Sequence, residues 1–302
     1  MNSILVAGLI NIETTLQIEM FPLNYNPANY PFFGINTSVS GVGYNVAKAL
    51  TVLGHQVKFL SAIGTGMHAQ LVREILKTDN ISDDYILDSA CQTAQSVILY
   101  DKIGQRQIHV DLKDIQEIIY PQTSFEQAMK GCDLLALCNV NFTRPFLSQV
   151  EESDTLVATD VHAISNLEDK YNRDYMQRAD ILFMSDELLP ISPEAWAKAI
   201  FKRYNPSIVV IGLGRDGALL GVQSDDFIKR FSAVYTRPIV NTIGAGDALF
   251  SAFLHSYLRC KNPYHAIKKA IVFASYKIGV TSAADGFLTA EELEQRSKLC
   301  RV

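Results

Sequence analysis

Strand-length apolar runs alternate with segments of helical period along most of the chain, and this alternation restricts the fold more than any other feature. SILVA, QVKFLSAIG, CDLLALCNV, TLVATDV, DILFMSD and SIVVIGLG are near-continuously hydrophobic, the pattern of strands covered on both faces. Between them NVAKALTVL, HAQLVREILK, FTRPFLSQVEE and PEAWAKAIFKRY are amphipathic, the last begun by Ser192 with Pro193 just inside the helix. Such an order predicts an α/β fold with a mainly parallel central sheet and helices on both sides. Long helices at about 245–260 and 264–278, then a short one opened by the capping box Thr289-x-x-Glu292, are expected in the C-terminal third.

Two segments break the rhythm. Residues 14–38 and 92–112 carry β-branched and aromatic residues with turn signals and little helix period. They predict antiparallel strands that pair into one small sheet, a lid on the main layer. With no internal repeat or low-complexity linker, one domain over residues 1–302 with the lid inserted in it is expected.

Composition narrows the partners. No apolar run in the 302 residues approaches the roughly 20 that a membrane span needs. A net charge of −5 without clustered Lys and Arg argues against a nucleic-acid surface, so a small molecule is the expected ligand, with neither nucleic acid nor membrane as partner. The start, MNSILVAGLINIE, lacks a basic region and a small-residue cleavage site. The five cysteines are odd in number and have no CxxC pair, so neither a disulfide framework nor a zinc site is indicated. A cytoplasmic location is expected.

Gly212-Leu-Gly214-Arg-Asp-Gly217 matches GxGxxG, yet it is followed by the strand-like ALLGVQ, whereas a dinucleotide fingerprint opens a helix. A strand-turn-strand corner is the better reading. The stretch VNTIGAGDALFSAF is more informative. After the β-like RPIVN, Gly244, Ala245 and Gly246 lack bulk and an amphipathic helix begins near Asp247. The free N–H groups of such a helix start bind anions.

Asn241-Thr242-Ile243-Gly244-Ala245-Gly246-Asp247 resembles the D-T-x-G-A-G-D signature of the ribokinase-like (PfkB) carbohydrate kinases, matching five of its six fixed positions. Ser40-Gly41-Val42-Gly43-Tyr44-Asn45-Val46-Ala47 is similar to that family's G-G-x-G-x-N-x-A. Gly8, Asn11 and Glu13 occupy its G-x-x-N-x-D, and Gly104-x-Arg106 suits its lid turn.

The resemblance implies phosphoryl transfer from ATP, with Mg²⁺, to a hydroxymethyl group of a sugar or sugar-like acceptor. Asp247 would be the general base and the backbone of Gly244, Ala245 and Gly246 the anion hole, while Asn11, Glu13, Gly41, Gly43 and Asn45 would bind the acceptor. Gly41 and Gly43 would let its ring lie against the chain. Thr242, Gly212, Gly214, Gly217 and Ser275, the last within Ala274–Gly286, would line the nucleotide. A nucleoside acceptor of adenosine, inosine or pseudouridine type is the alternative, with Tyr25, Tyr30, Phe32 and Phe33 available to stack on a base. A nucleotide-binding regulator without turnover is a third reading. A homodimer through the lid is expected to cover its exposed face.

The departures are specific. Glu13 replaces an Asp, so its carboxylate reaches about one methylene further. Ser185-Asp186-Glu187 stands where the family has N-x-x-E, leaving Asp186 or Glu187 to contact Mg²⁺ through water. Asn241 replaces an Asp at the loop that in many members holds a monovalent cation, which leaves K⁺ activation open. His162 and His68 are read as loop or surface residues.

Overall fold

A computed structural model describes residues 2–151 and 153–300. The chain runs β1 (Ser3–Ala7), β2 (Asn11–Gln17), β3 (Ile35–Ser40), α1 (Val42–Val52), β4 (Gln56–Ile63), α2 (Met67–Thr78), β5 (Ile86–Asp88), β6 (Gln95–Tyr100) and β7 (Arg106–Asp111). There follow α3 (Gln122–Met129), β8 (Leu134–Leu137), α4 (Arg144–Gln149), β9 (Leu156–Ala163), α5 (Arg173–Arg178), β10 (Ile181–Ser185), α6 (Pro193–Tyr204) and β11 (Ile208–Gly212). Last come β12 (Ala218–Val222), β13 (Phe227–Phe231), α7 (Ala245–Cys260), α8 (Pro263–Lys277) and α9 (Ala290–Leu299).

The six apolar runs become β1, β4, β8, β9, β10 and β11, neighbours in a sheet ordered β13-β12-β11-β10-β9-β8-β1-β4-β5. All pairs in it are parallel except β11 with β12 and β12 with β13. Alternation along each strand sends side chains to two cores. Ile4 and Val6 of β1 face the layer of α1, α2, α7, α8 and α9, whereas Leu5 and Ala7 face that of α3 to α6. Fully buried rings such as Phe59, Phe253, Phe125 and Phe146 each stabilise this sandwich by roughly 1.5–3 kcal/mol relative to exposure.

Local signals set the helix ends. The Ser192 hydroxyl accepts from the Ala195 N–H at 3.3 Å, Pro193 fills the first position of α6, and Asn205 ends it in the left-handed conformation. Both halves of the Thr289/Glu292 box form at α9. FTRPFLSQVEE gives a shorter helix than expected, because a 3₁₀ turn over Asn141–Thr143 occupies its start; its Glu152 lies outside the described residues. RPIVN is no strand. Its N–H groups bond to the end of α8 instead, Val240 donating to the Ile278 carbonyl at 2.9 Å, while the Arg237 guanidinium lies 3.9 Å from the Tyr276 ring centroid.

The second sheet has the order β3-β2-β6-β7 and joins the two segments expected to pair. It begins at Asn11, earlier than expected, and its central β2·β6 pair is parallel rather than antiparallel. The reason is topological. β2 continues from β1 and β6 from β5, two strands that point the same way in the main sheet, and antiparallel pairing is left to the β2·β3 and β6·β7 ladders. Between β2 and β3 the chain forms no strand, and Tyr25, Tyr30, Phe32 and Phe33 on it are 94%, 78%, 86% and 101% exposed.

Candidate active site

The carboxyl ends of β1, β8, β9, β10 and β11 form one edge of the parallel sheet, where open α/β sheets place their ligands. Over it stands one face of the small sheet. Register puts Asn11, Glu13, Ser40, Ser96, Ile98 and Arg106 on that face. Its polar members include the acidic Glu13 and the basic Arg106, and the apolar Ile98 and Tyr100 pack with Ile243 and Ala283 of the main layer.

α7 begins at Ala245 rather than at Asp247, with Gly244 as its N-cap in the left-handed region at φ 73°. A Cβ on Gly244 would lie 2.5 Å from the Ala283 carbonyl oxygen, so conformation and packing both require glycine. The Ala245 N–H makes a 3.3 Å turn bond to the Thr242 carbonyl. Among the described residues, the N–H groups of Gly244, Gly246 and Asp247 find no protein acceptor. They are the free donors of the helix start, and Asp247 therefore supplies one that sequence reasoning gave to Ala245.

Asp247 is half-buried in the first turn. Its Oδ2 accepts a 2.6 Å hydrogen bond from Asn45 Nδ2, a buried side chain of α1. Ser40 Oγ lies 3.3 Å from Asn45 Oδ1 and 2.9 Å from Glu13 Oε2; its one proton serves either acceptor. Glu13, Ser40, Asn45 and Asp247 thus form a single polar chain. Burial raises the Asp247 carboxyl above the ordinary aspartate value, the Asn45 donor and the nearby His162 and Lys277 oppose this, and Asp160 adds to it. Glu13 is raised for the same first cause, with Ser40 and Lys277 opposing. Glu13 Oε1 and Asn11 Oδ1 are buried without a donor among the described residues, while Asn11 Nδ2 donates to Ser96 at 3.1 Å.

Gly41 and Gly43 each meet neighbouring backbone on the side where a Cβ would stand. A Cβ at Gly43 would fall 2.5 Å from the Gly8 carbonyl carbon, and one at Gly41 2.6 Å from the Leu9 oxygen. Their bareness lets α1 pack against the turn after β1 and so brings Asn45 to Asp247.

The deciding observation comes from comparison with known proteins. The model of the pfkB family carbohydrate kinases matches residues 1–290. The chain belongs to that family. It is 26% identical over 257 residues to the acarbose 7(IV)-phosphotransferase of Actinoplanes sp., covering 84% of this chain and 85% of that one. It is 22% identical over 288 residues to the ATP-dependent ribose-1-phosphate kinase of Halopiger xanaduensis, covering 95% and 94%. Among solved structures, a microbiome-derived acarbose kinase superposes with a TM-score of 0.86 at 23% identity, over 98% of this chain and 99% of that one. A nucleoside kinase of Burkholderia thailandensis in complex with inosine gives 0.79 at 16%, over 98% of both. This carbohydrate kinase is accordingly a phosphotransferase acting on a sugar-type hydroxyl.

The remaining expected residues of the kinase lie around the same edge with different accessibility. GxGxxG is the β11–β12 corner, with Gly214 opening a 3₁₀ turn and Gly217 at φ 105° where β12 begins. Gly212 accepts from the Asp186 N–H at 3.1 Å. Ser275 spends its hydroxyl on the 234–236 segment, at 2.5 Å from the Val234 carbonyl and 3.2 Å from the Thr236 N–H, so it positions that segment rather than presenting a free hydroxyl. Thr242 Oγ1 and carbonyl receive Arg106 at 2.8 and 3.2 Å, and Arg106 also reaches Glu187 at 3.2 Å. The small sheet is thereby pinned to the anion loop. Burial raises the Asp186 carboxyl, and among the described residues no three His, Cys, Asp or Glu converge as a metal cage.

Two groups here, Lys277 and Asp160, escaped sequence reasoning, and His162 was read only as a loop or surface residue. Lys277 is fully buried and donates to the Ile243 carbonyl; in sequence it resembles an ordinary basic residue at a helix end. Asp160 and His162 at the end of β9 approach one another to 3.9 Å. His162 is held at φ 58° with its N–H on Asp160 Oδ1 at 2.8 Å.

Proposed function

We propose that the chain is one kinase domain that transfers the γ-phosphoryl group of ATP to a hydroxymethyl group of a sugar or sugar-like acceptor, with Asp247 as general base. The observation that carries this reading is the Asn45-tethered Asp247 carboxylate in the same helical turn as the free N–H groups of Gly244 and Gly246. The acceptor hydroxyl gives its proton to Asp247 as its oxygen bonds to the γ-phosphorus. The bond to the β–γ bridging oxygen breaks in line, ADP departs, and the loop N–H groups hold the charge on the equatorial oxygens.

The acceptor lies under the polar face of the small sheet. Glu13 Oε1 and Asn11 Oδ1, buried acceptors without donors, suit the hydroxyls of a polyol. The nucleotide lies along the Gly212–Gly217 corner and the Ala274–Gly286 segment, with Arg106 carried to the phosphates on the small sheet. Mg²⁺, when bound with the nucleotide, would neutralise charge on the phosphates, and Asp186 and Glu187 would contact it through water. Closure of the small sheet excludes water from the transfer.

Incubation with ATP, Mg²⁺ and a panel of sugars, amino sugars, sugar phosphates and nucleosides tests the reading. A sugar gaining one phosphate on a primary hydroxyl, seen by mass and ³¹P NMR, is expected. Exclusive phosphorylation of a nucleoside selects the alternative acceptor class. Nucleotide binding with no acceptor phosphorylated overturns the reading in favour of a regulator.

A further inference from the structure

We propose that Lys277 is a tethered cation for the anion loop, holding the Ile243 peptide so that the loop works without a monovalent cation from solution. This rests on the kinase reading above. A fully buried lysine is unusual unless its charge is used, and Lys277 is 0% exposed at the last position of α8.

Its single hydrogen-bond acceptor among the described residues is the Ile243 carbonyl. In a regular helix that oxygen would receive the Asp247 N–H, which here stays free. A trans peptide points its C=O and N–H in opposite directions. An ammonium on the Ile243 oxygen therefore aims the Gly244 N–H away from Lys277, to the other side of the loop. The same charge faces Asp247 from α7, Glu13 from β2 and Asp285 after α8, with Arg237 opposing from the segment before the loop. Burial lowers the Lys277 amine to about 8 against the pull of these carboxylates, so the ammonium is the prevailing form at neutral pH.

Two neighbouring oxygens are also occupied. Asn241 Nδ2 donates to the Thr281 carbonyl at 2.8 Å and Asn241 Oδ1 accepts the Ile243 N–H at 3.0 Å. An amide thus closes a position where a carboxylate would call for a counter-cation, and the Thr281 and Ile243 carbonyls already have donors. Lys277 is a positioning residue that acts through the loop.

The test compares rates in choline chloride, NaCl, KCl and NH₄Cl at equal ionic strength, for the wild type, Lys277→Arg and Lys277→Met. The wild type is expected to vary less than about twofold among the salts. Lys277→Met should lose more than about tenfold in kcat with acceptor KM little changed. It should regain part of the loss in KCl or NH₄Cl but none in choline, and Lys277→Arg should retain more rate than Lys277→Met. Wild-type activation above fivefold by K⁺ overturns the proposal, as does a folded Lys277→Met with kcat within twofold of wild type. If Lys277→Met does not fold, the wild-type salt series decides alone. If no acceptor is phosphorylated in any salt, the kinase reading fails and the cation claim is read from nucleotide binding. An equal shift of melting temperature by ATP in KCl and choline chloride then supports it, and a shift that requires K⁺ overturns it.

Discussion

Asn45 and Asp247 are 202 positions apart and are joined by a 2.6 Å hydrogen bond from Nδ2 to Oδ2. The bond couples α1 to α7 and preserves acidity that burial would otherwise remove from the Asp247 carboxyl. In Asn45→Ala the Asp247 carboxyl should rise further, and more of it is then protonated at a given pH. The acid limb of the kcat profile should move to higher pH. A pH–rate profile checks this, and an unchanged acid limb would refute the link between Asn45 and the base.

Asp247→Asn keeps the helix start and removes the proton acceptor. General-base contributions are typically about 10²–10⁴-fold, so a loss of that order in kcat is expected with ATP affinity changed by less than about threefold. Calorimetric ATP titration beside steady-state kinetics separates the two. A folded variant losing less than about tenfold would mean that Asp247 serves only as a helix-start residue.

Glu13 lies in β2 and Asn45 in α1, so the residues proposed to select the acceptor stand on regular elements rather than loops. Glu13→Gln should raise the KM of the acceptor more than that of ATP, because an acceptor hydroxyl loses a charged partner. Glu13→Asp retains the charge but draws back from Ser40, which Glu13 now reaches at 2.9 Å, and should shift preference among acceptors. Kinetics with both substrates varied decide: weakened ATP use with an unaffected acceptor would assign this element to the wrong ligand.

The strand runs were legible because a parallel sheet covered on both faces demands uninterrupted apolar sequence, and α6 because Ser192, Pro193 and its stripe all agree. Two departures from the family pattern, Ser40 for Gly and Glu13 for Asp, looked independent in the sequence. They are hydrogen-bonded partners, the longer carboxylate reaching the added hydroxyl. Cross-strand register creates that contact, and a linear pattern does not encode register. The parallel β2·β6 pair was illegible for the same reason, since its direction is inherited from β1 and β5. Lys277 stayed hidden because burial of a lysine depends on the loops that converge on it. The packing role of Gly41 and Gly43 against the turn after β1 was not legible because a bare backbone serves a neighbouring backbone as readily as a ligand.

His55 and His255 meet at 2.8 Å between ring nitrogens in the core at the start of β4 and within α7. Burial lowers them to about 4 and about 3 respectively, below their ordinary value, so both are neutral in the folded protein near neutrality. The unfolded chain takes up these protons first as pH falls below about 6.5, and folded stability should therefore drop from there towards pH 4, by up to about 1.4 kcal/mol per pH unit for each histidine. Denaturant midpoints at pH 7 and pH 5 measure the fall. His255→Phe should flatten the dependence even if it lowers stability overall, and an equally steep dependence in that variant would place the acid sensitivity elsewhere.

The outer face of the small sheet alternates with the site-facing one and carries Leu16, Ile35, Val97 and Leu99. Ile35 is 58% and Val97 44% exposed, an apolar surface on a sheet too small to bury it alone. A second copy of the chain is the expected cover, since an isologous pairing of two such faces is self-complementary. Light scattering should then give a dimer for the wild type and a monomer for Ile35→Lys/Val97→Lys. Because the same sheet carries Glu13 and Arg106 on its inner face, the monomer should also show raised KM values with Asp247 untouched. A wild type that stays monomeric at micromolar concentration would leave that face to closure over the site and refute the dimer.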